Sequence, residues 1–154
     1  MNKTLSTTNV SQTEFIATKI GKNLRGGEVI ELISDVGGGK TTFVKSLSKG
    51  AGSKDHVSSP TFTVTNIYNA PHFDIYHFDF YRLPQADLIS HELHENIRDD
   101  RDVVVVEWAN IVEHVLPKER LQIFIKSTGD DSRQLEIKAP DSLNYIIEDV
   151  DTKH

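Results

Sequence analysis

Residues 28 to 47 constrain this chain more than any other stretch. Glu28-Val29-Ile30-Glu31-Leu32-Ile33 is rich in β-branched residues and reads as a buried strand. Ser34-Asp35-Val36-Gly37-Gly38-Gly39-Lys40-Thr41 follows, and after it Phe43, Val44 and Leu47 fall on one helical face. Strand, glycine-rich turn, Lys-Thr and helix is the order of a phosphate-binding loop. Backbone N–H groups wrap an anion only where side chains do not block its approach, which calls for glycines. The helix N-terminus behind the loop favours negative charge through its unpaired N–H groups and its dipole. In such a loop Lys40 reaches the β- and γ-phosphates and the Thr41 hydroxyl ligates Mg²⁺. The strict pattern opens on glycine where this chain has Ser34. On these residues alone, an ordinary strand-to-helix turn remains the competing reading.

The 154 residues suit one domain with a sizeable core, residues 1–10 and 151–154 being expected as flexible ends. A net charge of −6 argues against a mainly electrostatic binder of nucleic acid or membranes. With no cysteine, neither disulfides nor a thiolate metal site is available. The first residues carry no apolar signal-peptide core and no apolar run is long enough to span a bilayer. A cytoplasmic location is the expectation.

Ser11-Gln12-Thr13-Glu14 reads as a capping box opening a helix with Phe15, Ile16, Ile20 and Leu24 toward a core, closed by Gly26-Gly27. The helix after the glycine-rich loop should stop near Gly50-Ala51-Gly52. Residues 60–68 and 73–82 flank Asn69-Ala70-Pro71-His72 as a β-hairpin, with Phe73, Ile75, His77, Asp79 and Tyr81 on one face. A polar helix over 84–98 follows, with Leu88 and Leu93 as its apolar positions. The four valines 103–106 imply a central parallel strand buried on both faces. A short helix from Ile111 to Leu116, a hairpin over 120–138 and an amphipathic helix over 141–150 complete the chain. The predicted fold is α/β: a phosphate-loop, three-layer NTPase-like domain whose mainly parallel core sheet is extended by antiparallel strands.

Several residues could carry chemistry. Glu107 ends the valine strand, where a nucleotide hydrolase places the carboxylate that holds Mg²⁺ directly or through water. The bland alternative is a charge marking the strand end. Asp79 lies between Phe78 and Phe80, and a carboxylate there is costly to bury unless paired or near a metal. A surface-facing residue paired with Arg82 is the alternative. Ser58-Ser59-Pro60-Thr61 reads as a plain turn or as a switch-type loop offering hydroxyls to Mg²⁺ or the γ-phosphate. The seven histidines, His91 and His94 among them, read as solvated rather than metal-binding.

Taken together, Asp35-Val36-Gly37-Gly38-Gly39-Lys40-Thr41-Thr42-Phe43-Val44, Ser59-Pro60-Thr61-Phe62-Thr63, His77-Phe78-Asp79-Phe80-Tyr81-Arg82-Leu83 and Val106-Glu107-Trp108 resemble the bacterial TsaE (YjeE) family over about residues 11 to 138. The resemblance implies a weak, partner-dependent ATPase of tRNA N6-threonylcarbamoyladenosine formation, working with a TsaB–TsaD complex in which TsaD performs the modification. It implies ATP and Mg²⁺ as cofactors. Gly37, Gly38, Gly39 and Lys40 would hold phosphates, Thr42 would contact the α-phosphate, and Thr41, Glu107 and Thr61 would serve Mg²⁺. Lys40, Glu107 and Asp79 would be the catalytic set, Asp79 as a metal-linked or water-orienting carboxylate, and Trp108 would pack beside the site. Ser34 and Gly38 depart from the family's usual Gly-Asp-x-Gly-Ala-Gly-Lys-Thr. If position 34 needs a glycine-only backbone, Ser34 costs on the order of 1 kcal/mol of strain at the expense of nucleotide affinity. The rival readings are a small-molecule kinase, which usually carries an arginine-rich lid not visible here, and a nucleotide-gated assembly factor in which occupancy rather than hydrolysis matters.

Overall fold

The computed structural model describes residues 1–34, 39–57, 65–80, 87–98 and 101–152. The strands are β1 (Asn2–Thr7), β2 (Val29–Ile33), β3 (Thr65–Asn69), β4 (Asp74–Asp79), β5 (Val103–Glu107), β6 (Leu121–Ser127) and β7 (Arg133–Lys138). The helices are α1 (Val10–Asn23), α2 (Lys40–Gly50), α3 (Asp87–Arg98) and α4 (Asn144–Ile147), with 3-10 turns over Ala109–Val115 and Asp141–Leu143. The strands form one seven-stranded sheet in the order β1-β7-β6-β2-β5-β4-β3. Its centre, β6-β2-β5-β4, is parallel, and β3, β7 and β1 join antiparallel. This is the α/β architecture expected from the sequence.

Both faces of the centre are buried, as the valine run required. Val103 and Val105 pack into the larger cluster with Ile16 and Ile20 of α1, Phe43, Val44 and Leu47 of α2, and Ile146 and Ile147 of α4. Val104 and Val106 belong to a second cluster with Phe78, Leu93 of α3, Ala109 of the first 3-10 turn and Leu116 just after it. Alternation along β5 thus divides the helices into two layers.

Three expectations need correction. The first ten residues are not a loose end, because β1 pairs with β7 from Asn2↔Lys138 to Thr7↔Arg133. It covers a sheet edge that would otherwise present open backbone groups, and Lys3 Nζ ties it to the carbonyls of Glu148 and Val150. The N-cap of α1 is Asn9, not Ser11: Asn9 Oδ1 accepts from Gln12 N, and Gln12 Oε1 accepts from Thr8 N. Reciprocal capping is present two residues earlier, with Asn and Gln in place of Ser and Glu. The last helix is only Asn144–Ile147. Asn23 Nδ2 takes the Ile146 carbonyl, and Val150 N closes back on Ile147 O, so the ladder tightens and ends there. Leu143, Ile146 and Ile147 still face inward as expected.

Candidate functional site

The parallel neighbours β2, β5 and β4 end side by side, at Ile33, Glu107 and Asp79. From β2 the chain passes to α2 on one face, while from β5 it passes to the 3-10 segment on the other. Adjacent parallel strands whose continuations leave to opposite faces open a crevice at their carboxyl ends, where ligands of open α/β sheets bind.

On the β2 side, Gly39 is the N-cap of α2 at φ 95°, a left-handed conformation that glycine adopts without a Cβ penalty. Lys40 is the first residue of α2 and is buried. Its ammonium donates to the Ser34 carbonyl at 3.2 Å and lies 3.1 Å from Ser34 Oγ. It also sits 5.0 Å from the centroid of the Trp108 ring, within cation–π range. Ser34 does not have the positive φ that the strain expectation required; among described non-glycine residues only Trp108 does, at 56°. Ser34 is instead a direct partner of Lys40. The strain lies one step past β5, where a left-handed Trp108 costs on the order of 1–3 kcal/mol and turns the indole toward the lysine.

On the β5 side, Glu107 is 2% exposed and accepts from His77 Nε2 at 2.7 Å. His77 sits opposite Val105, so Glu107 is its diagonal neighbour on the same face. The other ring nitrogen, Nδ1, is 3.0 Å from Tyr68 Oη on β3. Tyr68, His77 and Glu107 thus form a buried chain across three strands. Asp79 is opposite Glu107 in the register and only 6% exposed, so the surface-facing reading of Asp79 does not hold.

The family comparison falls on the same segments. A sequence model described as threonylcarbamoyl adenosine biosynthesis protein TsaE matches residues 7–135. The chain belongs to the TsaE family. The tRNA threonylcarbamoyladenosine biosynthesis protein TsaE of Bacillus subtilis is 40% identical over 135 residues, covering 86% of this chain and 83% of that protein. The protein of the same name from a Nostoc species is 35% identical, covering 77% of this chain and 74% of its own. The crystal structure of Bacillus subtilis YdiB superposes with a TM-score of 0.78 at 33% identity, covering 97% of this chain and 94% of that one.

Within this chain the structure brings Lys40, Glu107 and Asp79 to one edge of the sheet, with Thr41 and Thr42 in the first turn of α2. Gly37, Gly38 and Thr61 lie outside the described residues, as do the Ser58–Thr61 segment and Arg82. Two cavities lie near these residues. A smaller one touches Val10, Thr13, Gly39, Thr42, Ile125 and Arg133. A larger one, about 480 Å³, runs from Ser34 and Trp108 over Phe124, Lys126 and Gln134. Sequence reasoning missed the roles of Ser34, His77 and Tyr68. His91 and His94 are exposed, as expected, but His77 is fully buried. Its place beside Asp79 on one face of an aromatic strand was the available signal.

Proposed function

We propose that this chain serves tRNA threonylcarbamoyladenosine biosynthesis as a Mg²⁺-dependent ATP-binding protein with slow, partner-dependent ATPase activity, acting with TsaB and TsaD. The observation that carries the reading is the pairing of a lysine at a glycine-capped helix start with a nearly buried glutamate ending the adjacent parallel strand. Lys40 and the N-terminal amides of α2 supply positive potential for the phosphates. Thr42 and the small cavity beyond it, toward Val10, Thr13 and Arg133, lie on the side of α2 where the nucleoside end would pass.

The donor set fits Mg²⁺. Among the described residues Glu107 Oε2 has His77 as partner and Oε1 has none, so one oxygen of a buried carboxylate keeps its acceptor capacity. No group of three or more acidic or histidine side chains forms a cation cage among those residues. This agrees with an ion held largely by nucleotide phosphates and water, with Glu107 and Thr41 as protein contributors. When bound, the cation would neutralise charge developing on the phosphates. Lys40 shares that work, and Asp79 accepts a hydrogen bond from the attacking water and orients it.

The test is calorimetry of ATP binding followed by a reconstituted modification assay. A Lys40→Ala chain should stay folded and bind ATP at least ~10-fold more weakly, since a charge-assisted contact contributes about 1.5–3 kcal/mol. Unchanged affinity removes the phosphate-site reading. With TsaB and TsaD present, modification driven equally well by a non-hydrolysable analogue would favour occupancy over hydrolysis.

A further inference from the structure

We propose that His77 is the positioning residue for Glu107. Its Nε2–H holds one carboxylate oxygen so that the other keeps a fixed aim into the crevice, and Tyr68 fixes the ring from behind. The inference rests on the reading that Glu107 serves a Mg²⁺–nucleotide, and deepens it by assigning a role to a histidine that the phosphate-site chemistry does not otherwise use.

His77 is completely buried, Tyr68 is 2% exposed and Glu107 is 2% exposed, so this is a dry polar chain in which an unmade bond would be costly. Its two links are 2.7 Å at Nε2 and 3.0 Å at Nδ1, both within hydrogen-bond range. An ionised carboxylate only accepts, so Nε2 carries the proton of the shorter link. A glutamate has three rotatable side-chain bonds, and a strand fixes only its root. Anchoring Oε2 to a ring that is itself held at its far nitrogen removes the remaining freedom. Carboxylates that serve a metal are commonly held by such outer hydrogen bonds. The chain lies along the sheet, and β5 pairs directly with both β4 and β2, which leads into the glycine-rich loop. The aim of Glu107 is therefore set within the same rigid sheet that sets the loop.

Two substitutions separate positioning from bulk stability. In His77→Gln the amide Nε2 reaches the place of the ring Nε2 and can still donate to Glu107. In His77→Asn the amide reaches only the place of Nδ1, which keeps the Tyr68 side and loses the Glu107 side. The readout is ATP affinity by calorimetry, with Mg²⁺ and again with EDTA, together with thermal unfolding. The Mg²⁺-dependent gain should fall by about 10-fold in His77→Asn, the size of typical outer-partner losses, and stay within about 3-fold of wild type in His77→Gln. Affinity in EDTA should be alike in all three proteins. A purely structural histidine would weaken binding with and without the metal together. If His77→Asn unfolds before it can be measured, Tyr68→Phe, which loosens the ring without touching Glu107, should give a smaller loss confined to the Mg²⁺-dependent part. Equal gains in wild type and His77→Asn, or in wild type and Tyr68→Phe where that variant is used, overturn the positioning role. A wild-type chain that binds no nucleotide in either buffer overturns the function proposed above instead.

Discussion

Gly21 and Gly50 set how closely α1 and α2 cross, and Gly21→Ala tests that closeness and its effect on Lys40. A Cβ built on Gly21 would lie 1.9 Å from the Leu47 carbonyl oxygen and 3.0 Å from Ala51 N. The reciprocal atom on Gly50 would lie 2.1 Å from the Thr18 carbonyl oxygen. All these neighbours are backbone, so no side chain can swing aside. Ordinary contact begins at 3.4 Å, and the two helices would have to part by about 1.5 Å. Overpacking of this kind costs about 1–3 kcal/mol, and rigid backbone on both sides places it at the upper end. Replacing a helical glycine by alanine returns about 1 kcal/mol of propensity. The net loss is about 2 kcal/mol, or a fall in Tm of about 4–8 °C for a chain of this size. Because α2 begins with Lys40, a displaced α2 should also weaken ATP binding by several-fold. Gly129→Ala, whose Cβ would meet Ser132 at an ordinary 3.5 Å in the β6–β7 turn, is the control and should be near neutral. Differential scanning calorimetry and ATP titration of the two variants make the comparison. A Gly21→Ala chain that melts with wild type would show that the helices part freely, and the argument from closeness would fail.

Ser34→Gly removes the Oγ partner of Lys40 but relieves no left-handed strain, so ATP affinity should be unchanged or up to ~5-fold tighter; a marked loss would mean that Ser34 Oγ supports Lys40 while phosphate is bound. Asp79→Asn should lower partner-stimulated hydrolysis more than Mg²⁺-ATP binding, whereas Glu107→Gln should lower both; full hydrolysis by Asp79→Asn in the presence of TsaB and TsaD would make Asp79 merely structural. Burial first, then its hydrogen bond to Glu28, pushes the Tyr145 phenol above the ordinary tyrosine range. Its folded value thus exceeds an unfolded one near ~10, so the stability it contributes is complete below pH ~10 and is lost as pH rises beyond; the absorbance difference between wild type and Tyr145→Phe should show no phenol titrating near pH 10. Glu28→Gln should lower Tm, because a carboxylate with three donors loses acceptor capacity, while Glu107→Gln should leave Tm unchanged or raise it, since it removes a buried charge and keeps an acceptor for His77.

Much of the fold was legible because its signals are local or periodic. The valine run demanded two buried faces and has them, and the hairpins followed from alternation about polar turns. What escaped depends on partners distant in sequence. The N-terminal strand carries Thr4 and Ser6 on an edge and shows little apolar alternation of its own. It forms because β7, more than a hundred residues later, needs an antiparallel neighbour. The last helix is cut short by Asn23, from another element. At the site, Lys40 and Glu107 were visible as motif residues at a loop end and a strand end. Nothing local showed that Ser34 would hold Lys40, or that a histidine and a tyrosine on adjacent strands would reach Glu107. A strand pattern gives the face of a side chain but not its diagonal neighbour, which is set by register.

Two buried glutamates at opposite ends of the same sheet show why one reads as structure and the other as site. Glu28, 3% exposed, precedes β2 and accepts from Arg25 N, Gly26 N and Tyr145 Oη, all within 2.7 Å and divided over both oxygens. Those bonds fasten the turn between α1 and β2, and both of its oxygens are engaged within the protein. Glu107 is no more exposed, yet its described hydrogen bond is one, to one oxygen. Desolvating a carboxylate costs several kcal/mol unless its lone pairs are satisfied, so Glu28 offsets that cost within the fold and Glu107 does not. The departures from ordinary core chemistry gather around Glu107: Asp79 opposite it, the left-handed Trp108 after it, and the buried Lys40 beside that indole. Local rules broken together at the carboxyl ends of parallel strands are the pattern in which stability yields to binding, and here they gather at the proposed site. The Glu28 end carries a carboxylate as well, but its donors come from its own turn and from α4, leaving nothing for a ligand to complete.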